Sequence, residues 1–196
     1  MKAQPQVCRA CFGFVCTVLT FSLILLGAAG LQAPRVNKDA LALKEFTDAV
    51  QEYVRLHKQL AGSLAPNKQT VDPAKIVAYQ DSLARKIQEA RAGAKQGDIF
   101  TPASALRFRR LIKNHFHGPH ATQSKETIRQ GEPVKVVLRV NDCYPKGVPL
   151  TTMPATLLQN LPPLPAEVKY AIVNKDLILL DARALLVVDF IRDVLP

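Results

Sequence analysis

Residues 168–191, VKYAIVNKDLILLDARALLVVDFI, decide the fold of this chain. Three short aliphatic runs, Val168–Val173, Leu177–Leu180 and Leu185–Ile191, are separated by Asn174-Lys175-Asp176 and Asp181-Ala182-Arg183. Asn and Asp side chains bond their own backbone and tolerate tight turns, so both separators read as turns. The pattern predicts a three-stranded antiparallel meander. Such a sheet is marginal alone in water, so it must close over an apolar partner.

Outward from the meander, Leu161-Pro162-Pro163-Leu164-Pro165 predicts an extended linker, because successive prolines enforce polyproline-like dihedrals. A short helix over 154–160 precedes it. Val134, Val136, Leu138 and Val140 alternate with Lys135, Val137 and Arg139, the period of two of a half-buried strand and a candidate fourth member of the sheet. Residues 117–131 read as an exposed loop with one helical turn at 125–129.

The first half of the chain is helical. Asn37 or Asp39 can cap a helix running to about Ala61, with Leu43, Phe46, Val50, Tyr53 or Val54, and Leu60 forming an apolar stripe. Asp72-Pro73 starts a second helix to about Ala94, lined by Ile76, Leu83, Ile87 and Ala90. Thr101-Pro102 starts a third, whose stripe is Ala105, Phe108, Leu111, Ile112 and Phe116. Two long antiparallel helices joined by a short breaker form a hairpin onto which the third packs. The expected class is α+β: a helical hairpin plus a third helix, with a small C-terminal antiparallel β meander of three to four strands. The expected organisation is a helical region over 34–131 and a β-rich module over 132–196, packed together.

Residues 1–33 are of another kind. Lys2 and Arg9 lead into an uncharged apolar run from Ala10 to Ala33. With its small-residue patch Gly27-Ala28-Ala29-Gly30, this run reads as a signal peptide or as a retained N-terminal membrane anchor. Either outcome places the following domain outside the cytoplasm, periplasmic or secreted, or tethered to the membrane. Cys8, Cys11 and Cys16 belong to this segment, which leaves Cys143 alone and excludes a disulfide scaffold. Cys143 is expected to be a buried, inert thiol, with a disulfide between chains as the alternative.

The net charge of +10 falls to +8 if residues 1–33, with Lys2 and Arg9, are removed. The scattered lysines and arginines either only keep the domain soluble, with no ligand implied, or attract anionic envelope polymers, the membrane surface or another envelope protein. Nucleic acid is not an expected partner, and the chain has no Trp to build a stacking platform.

No motif for catalysis stands out. Ser63, Ser82, Ser104 and Ser124 lie outside any Gly-x-Ser-x-Gly elbow, and the Asp142-Cys143-Tyr144-Pro145 context offers no oxyanion donors. His115, His117 and His120 are the candidate metal ligands, since imidazoles within six residues could fold onto one ion. Their competing reading is a polar helix end, where cations favour the dipole. Arg107, Arg109, Arg110 and Lys113 could grip a phosphate or carboxylate, or simply populate a solvated helix face. Asp181 reads as a turn residue. Asp189, inside a strand, is expected to face solvent or to pair with Arg183 or Arg192.

Four segments together resemble a family of uncharacterised exported bacterial proteins. They are Tyr53-x-x-Leu56-His57-Lys58; Gln96-Gly97-Asp98-Ile99-Phe100-Thr101-Pro102 with Phe108-Arg109-Arg110-Leu111-Ile112; Met153-Pro154-x-x-Leu157-Leu158-x-x-Leu161-Pro162-x-Leu164-Pro165; and the Tyr170–Ile191 tail. The tail, through Tyr170, Leu177, Leu179, Asp181, Val188 and Asp189, is also similar to the C-terminal hairpin of small periplasmic proteins of nickel and cobalt homeostasis. The resemblance implies an envelope setting and carries no site residues. The expectation is an exported, non-enzymatic binding or structural module that needs no cofactor. The alternatives are a periplasmic metal-handling protein using the histidine loop, or an enzyme with an unrecognised site.

Overall fold

The computed structural model describes residues 37–64, 72–131 and 133–195; the signal or anchor segment lies outside them. The side chain of Asn37 accepts from the amides of Asp39 (3.0 Å) and Ala40 (3.3 Å), satisfying donors that a helix start leaves free. Helix α1, Lys38–Gly62, follows. Asp72 caps Ala74 and Pro73 takes the first turn of α2, Pro73–Ala90. This helix ends four residues before the expected Ala94, in a turn over 91–93. Thr101 caps α3, Pro102–His115. The region expected to be loop instead carries α4, Ala121–Arg129, and α5 is a single turn, Ala155–Leu158. Among the described residues, no helix is long and apolar enough to cross a membrane.

Strands β1 (Val168–Val173), β2 (Asp176–Asp181) and β3 (Val187–Ile191) form the predicted antiparallel meander, in the order β1-β2-β3. Asn174, with φ of 54°, occupies the left-handed position of the β1–β2 turn, a conformation that Asn tolerates. The fold is therefore α+β, as the sequence predicts.

The fourth strand does not form. Residues 133–139 are extended but carry no ladder. Val134, Val136, Leu138 and Val140 turn toward Ile178, Leu180, Val187 and Phe190 on one face of the sheet, while Lys135, Val137 and Arg139 stay exposed. The alternation correctly identified the buried side chains, but an arm lying over a sheet face alternates just as an edge strand does. Backbone bonds to the sheet come from the residues that follow the arm. There Asn141 N donates to Val187 O (2.8 Å) and Thr151 N to Ile172 O (3.3 Å), while the side-chain amide of Asn174 accepts from Val134 N and donates to Val134 O.

The opposite sheet face, with Val168, Tyr170, Ile172, Leu177 and Leu179, shares one apolar cluster with α1, α2 and α3. Coverage on both faces explains why β2 and β3 read as almost unbroken aliphatic runs. At the centre of the helix-facing cluster, Phe108 of α3 meets Phe46 of α1 edge-on at 4.8 Å and Phe100 at 5.1 Å, with Tyr170 of β1 at 5.9 Å. Ring pairs of this geometry add to the area they bury.

Because helices and sheet share this cluster, Phe108→Ala should cost about 3–5 kcal/mol and should lower helical and sheet signals in one denaturation transition. Two separated transitions would show that the halves fold independently.

Candidate functional site

Asp181 and Asp189 are the most buried ionisable groups of the sheet, each 0% exposed. Their cross-strand partners, Val168 and Leu179, belong to the helix-facing cluster, so both carboxylates point toward the helices. Burying a charge is costly unless donors surround it, and both have them.

Asp181 Oδ2 accepts from Tyr53 Oη (2.7 Å) and from His57 Nδ1 (2.6 Å). Those donors stand four residues apart on α1, hence one above the other on the same helical face. Its Oδ1 accepts from the amides of Arg183 (2.9 Å) and Ala184 (2.6 Å). The turn reading of Asp181 thus holds for one oxygen, while the other ties the sheet to α1. The same turn holds Leu185 at φ of 50°, a strained position for a branched side chain, with Leu185 N bonded to Asp181 O at 3.1 Å. Burial pushes the Asp181 carboxyl up, but the bonds from His57, Tyr53 and Ala184 outweigh it and hold it below the usual carboxylate value. Burial, then the Asp181 charge, pushes the Tyr53 phenol far up, so it remains a donor.

Asp189 corrects the sequence expectation. It neither faces solvent nor pairs with Arg183 or Arg192. Instead its Oδ2 accepts from Ile99 N (2.9 Å) and Phe100 N (2.7 Å), its Oδ1 from Phe190 N (2.8 Å), and Gly97 N approaches both oxygens at 3.1 and 3.2 Å. Three amides of one loop converge on a single carboxylate because Gly97 takes φ of 97°, a conformation that side chains disfavour. Arg91, at the end of α2, lies between the two anchors: its guanidinium sits 5.1 Å over the Tyr53 ring and donates to Val188 O at 3.3 Å.

His115, His117 and His120 separate. Asn160 Nδ2 donates one hydrogen to Thr156 O (2.9 Å) and the other to His115 Nδ1 (3.1 Å). Nδ1 is therefore the acceptor, and Nε2 carries the proton that it donates to Ser124 Oγ at 2.7 Å. This is the neutral imidazole, and burial followed by the nearby His120 lowers its pKa from the usual value. His120 shares a cleft of about 330 Å³ with His115, whereas His117 Nδ1 donates to Lys113 O at 2.7 Å. Among the described residues, no three His, Cys, Asp or Glu side chains are grouped to hold a metal ion.

The remaining candidates are accounted for individually. Cys143 is exposed, not buried as expected: it lies on the outer connection, in an isolated bridge to Leu186. Burial of its sulfur, then Asp81 and Asp142, raises the thiol pKa, which keeps it protonated and weakly nucleophilic. Arg107 and Arg110 reach Asp39 at 3.5 and 2.9 Å, and Arg109 donates to the Asp193 carbonyl at 2.9 Å. The predicted proline linker walls an open apolar groove of about 610 Å³ with Leu158, Leu161, Leu164 and Tyr170.

Sequence reasoning missed Tyr53 and His57 as partners of Asp181. The available signal was a Tyr and a His four apart on an otherwise apolar stripe. Comparison with protein-family models, with curated proteins and with solved structures finds no match for this chain.

Two pH dependences follow. The folded Asp181 carboxyl lies below its unfolded value, so its contribution is present above about pH 4 and is lost as pH falls through the folded value. Asp181→Asn should therefore cost about 3–5 kcal/mol at neutral pH, and its melting temperature should fall less than the parent's between pH 5 and the acid limit in thermal melts. The folded His115 pKa also lies below the unfolded value of about 6.5, but here the neutral form is stabilised. That contribution is complete above about pH 6.5 and declines below it. His115→Gln should flatten the fall in melting temperature between pH 7 and 5, and an unchanged slope would place the titrating group elsewhere.

Proposed function

We propose that this chain works outside the cytoplasm as a non-catalytic binding or structural module of the cell envelope. The observation that carries the reading is the use made of buried charge. A catalytic carboxylate presents an oxygen to its substrate, whereas Asp181 and Asp189 direct both of theirs to donors of this chain. His57 bonds Asp181 through Nδ1 and is itself only 2% exposed, so its ring is closed to a substrate.

The charged and apolar groups left at the surface are of the kind that meets partners. They include the groove walled by Leu158, Leu164 and the prolines, and the cationic helix α3. The apolar lead of residues 10–33 supports export, as does the resemblance of the four segments to exported proteins.

Alkaline phosphatase, which is active only after export, should be active when fused after Pro196. Calorimetric titration of the full chain with nickel, copper or zinc should give no heat that depends on His115, His117 or His120. An inactive fusion contradicts export. Micromolar binding abolished by His→Ala changes would replace this reading with metal handling.

A further inference from the structure

We infer that the outward face of α3 docks on the anionic headgroups of a lipid bilayer. The inference rests on the exported reading above and names the surface that an exported chain would meet first.

Leu106, Arg109, Arg110 and Lys113 stand at positions i, i+3, i+4 and i+7, which at 3.6 residues per turn places them in one stripe. All four are exposed, and Leu106 is 56% exposed. The opposite side of the helix, Ser104, Phe108, Ile112 and His115, is buried, so the stripe faces away from the core. The sequence of α3, PASALRFRRLIKNH, contains no acidic residue. Its nearest carboxylate is Asp39, paired with Arg107 and Arg110. Asp193 touches Arg109 through its backbone carbonyl. These contacts hold the guanidinium groups in place, and the three cations of the stripe against Asp39 and the exposed Asp193 leave the face positive. Arg110 spends both ends of its fork on Asp39, which leaves Arg109 and Lys113, without an ion pair among the described residues, to meet phosphate oxygens.

One observation favours a bilayer over a soluble polyanion. Leu106 stands at the N-terminal end of the cationic stripe, one turn from Arg109 and Arg110, and an exposed leucine beside cations lets a helix set an apolar side chain at the acyl boundary and its charges at the phosphates. A soluble polyanion offers that leucine nothing.

The chain has no Trp, so Leu106→Trp supplies a single fluorophore. The full chain carrying this change would be reconstituted with vesicles of phosphatidylcholine, with and without phosphatidylglycerol. With phosphatidylglycerol, its emission should shift to the blue and be quenched by brominated lipid. The shift should shrink at high salt and on adding Lys113→Glu at a solvent-facing position. Val77→Trp, on exposed α2 surface, should stay unshifted. Unshifted Leu106→Trp emission with phosphatidylglycerol overturns the inference, as does an equal shift on phosphatidylcholine alone or at Val77→Trp. An active phosphatase fusion with a silent tryptophan defeats the docking face alone; an inactive fusion defeats the exported reading whatever the vesicles show.

Discussion

Two buried carboxylates on the helix-facing side of a three-stranded sheet organise this molecule. A charge removed from water costs several kcal/mol unless donors replace its hydration. Asp181 and Asp189 meet that demand with donors drawn from separate parts of the chain. Each element that supplies a donor is fixed in the process: α1 through Tyr53 and His57, the β2–β3 turn through Arg183 and Ala184, and the 97–100 loop through its amides. That loop carries Phe100 into the aromatic cluster around Phe108. The polar anchors and the apolar core are thus one construction, in which the carboxylates set register and the rings supply the buried area.

The same logic explains local conformations that would otherwise be costly. Leu185 is held in the left-handed region by bonds that converge on Asp181, and Gly97 adopts the dihedral that lets three neighbouring amides face Asp189. The sheet margins are also occupied. Thr151 bridges to β1, while Arg91 and Gln96 donate to the Val188 and Phe190 carbonyls of β3. Covered margins leave little main chain open to pairing with a neighbour, which suits a basic domain that presents side chains to its surroundings.

Where the sequence could be read, it was because a local rule sufficed. Asn37, Asp72-Pro73 and Thr101-Pro102 announce helix starts because capping needs only neighbours, and the meander follows from its turn residues. The arm over 133–139 misled because alternation records which side chains are buried and says nothing of where the backbone hydrogen bonds go. Asp189 misled for a related reason: its donors lie about ninety residues upstream, and no local pattern links a strand aspartate to a glycine loop. Cys143 was expected inside because thiols usually are, yet it falls on an outer connection. The helical turn foreseen at 125–129 grew into α4 across a stretch whose polar residues read as loop. His115 was seen as a ligand candidate, but its engagement by Ser124 and Asn160 depends on the packing of α3, α4 and α5.

If Asp181 is an anchor, its carboxyl is ionised at all physiological pH values and exchanges no proton with a substrate. The most direct test is its side-chain 13C chemical shift followed by NMR from pH 8 downward. The structure requires a flat response to below the ordinary carboxylate value of about 4, with the signal lost on acid unfolding. A midpoint at pH 6 or above would show a proton shared with His57 and Tyr53, and would turn this trio from a structural tie into working acid–base machinery.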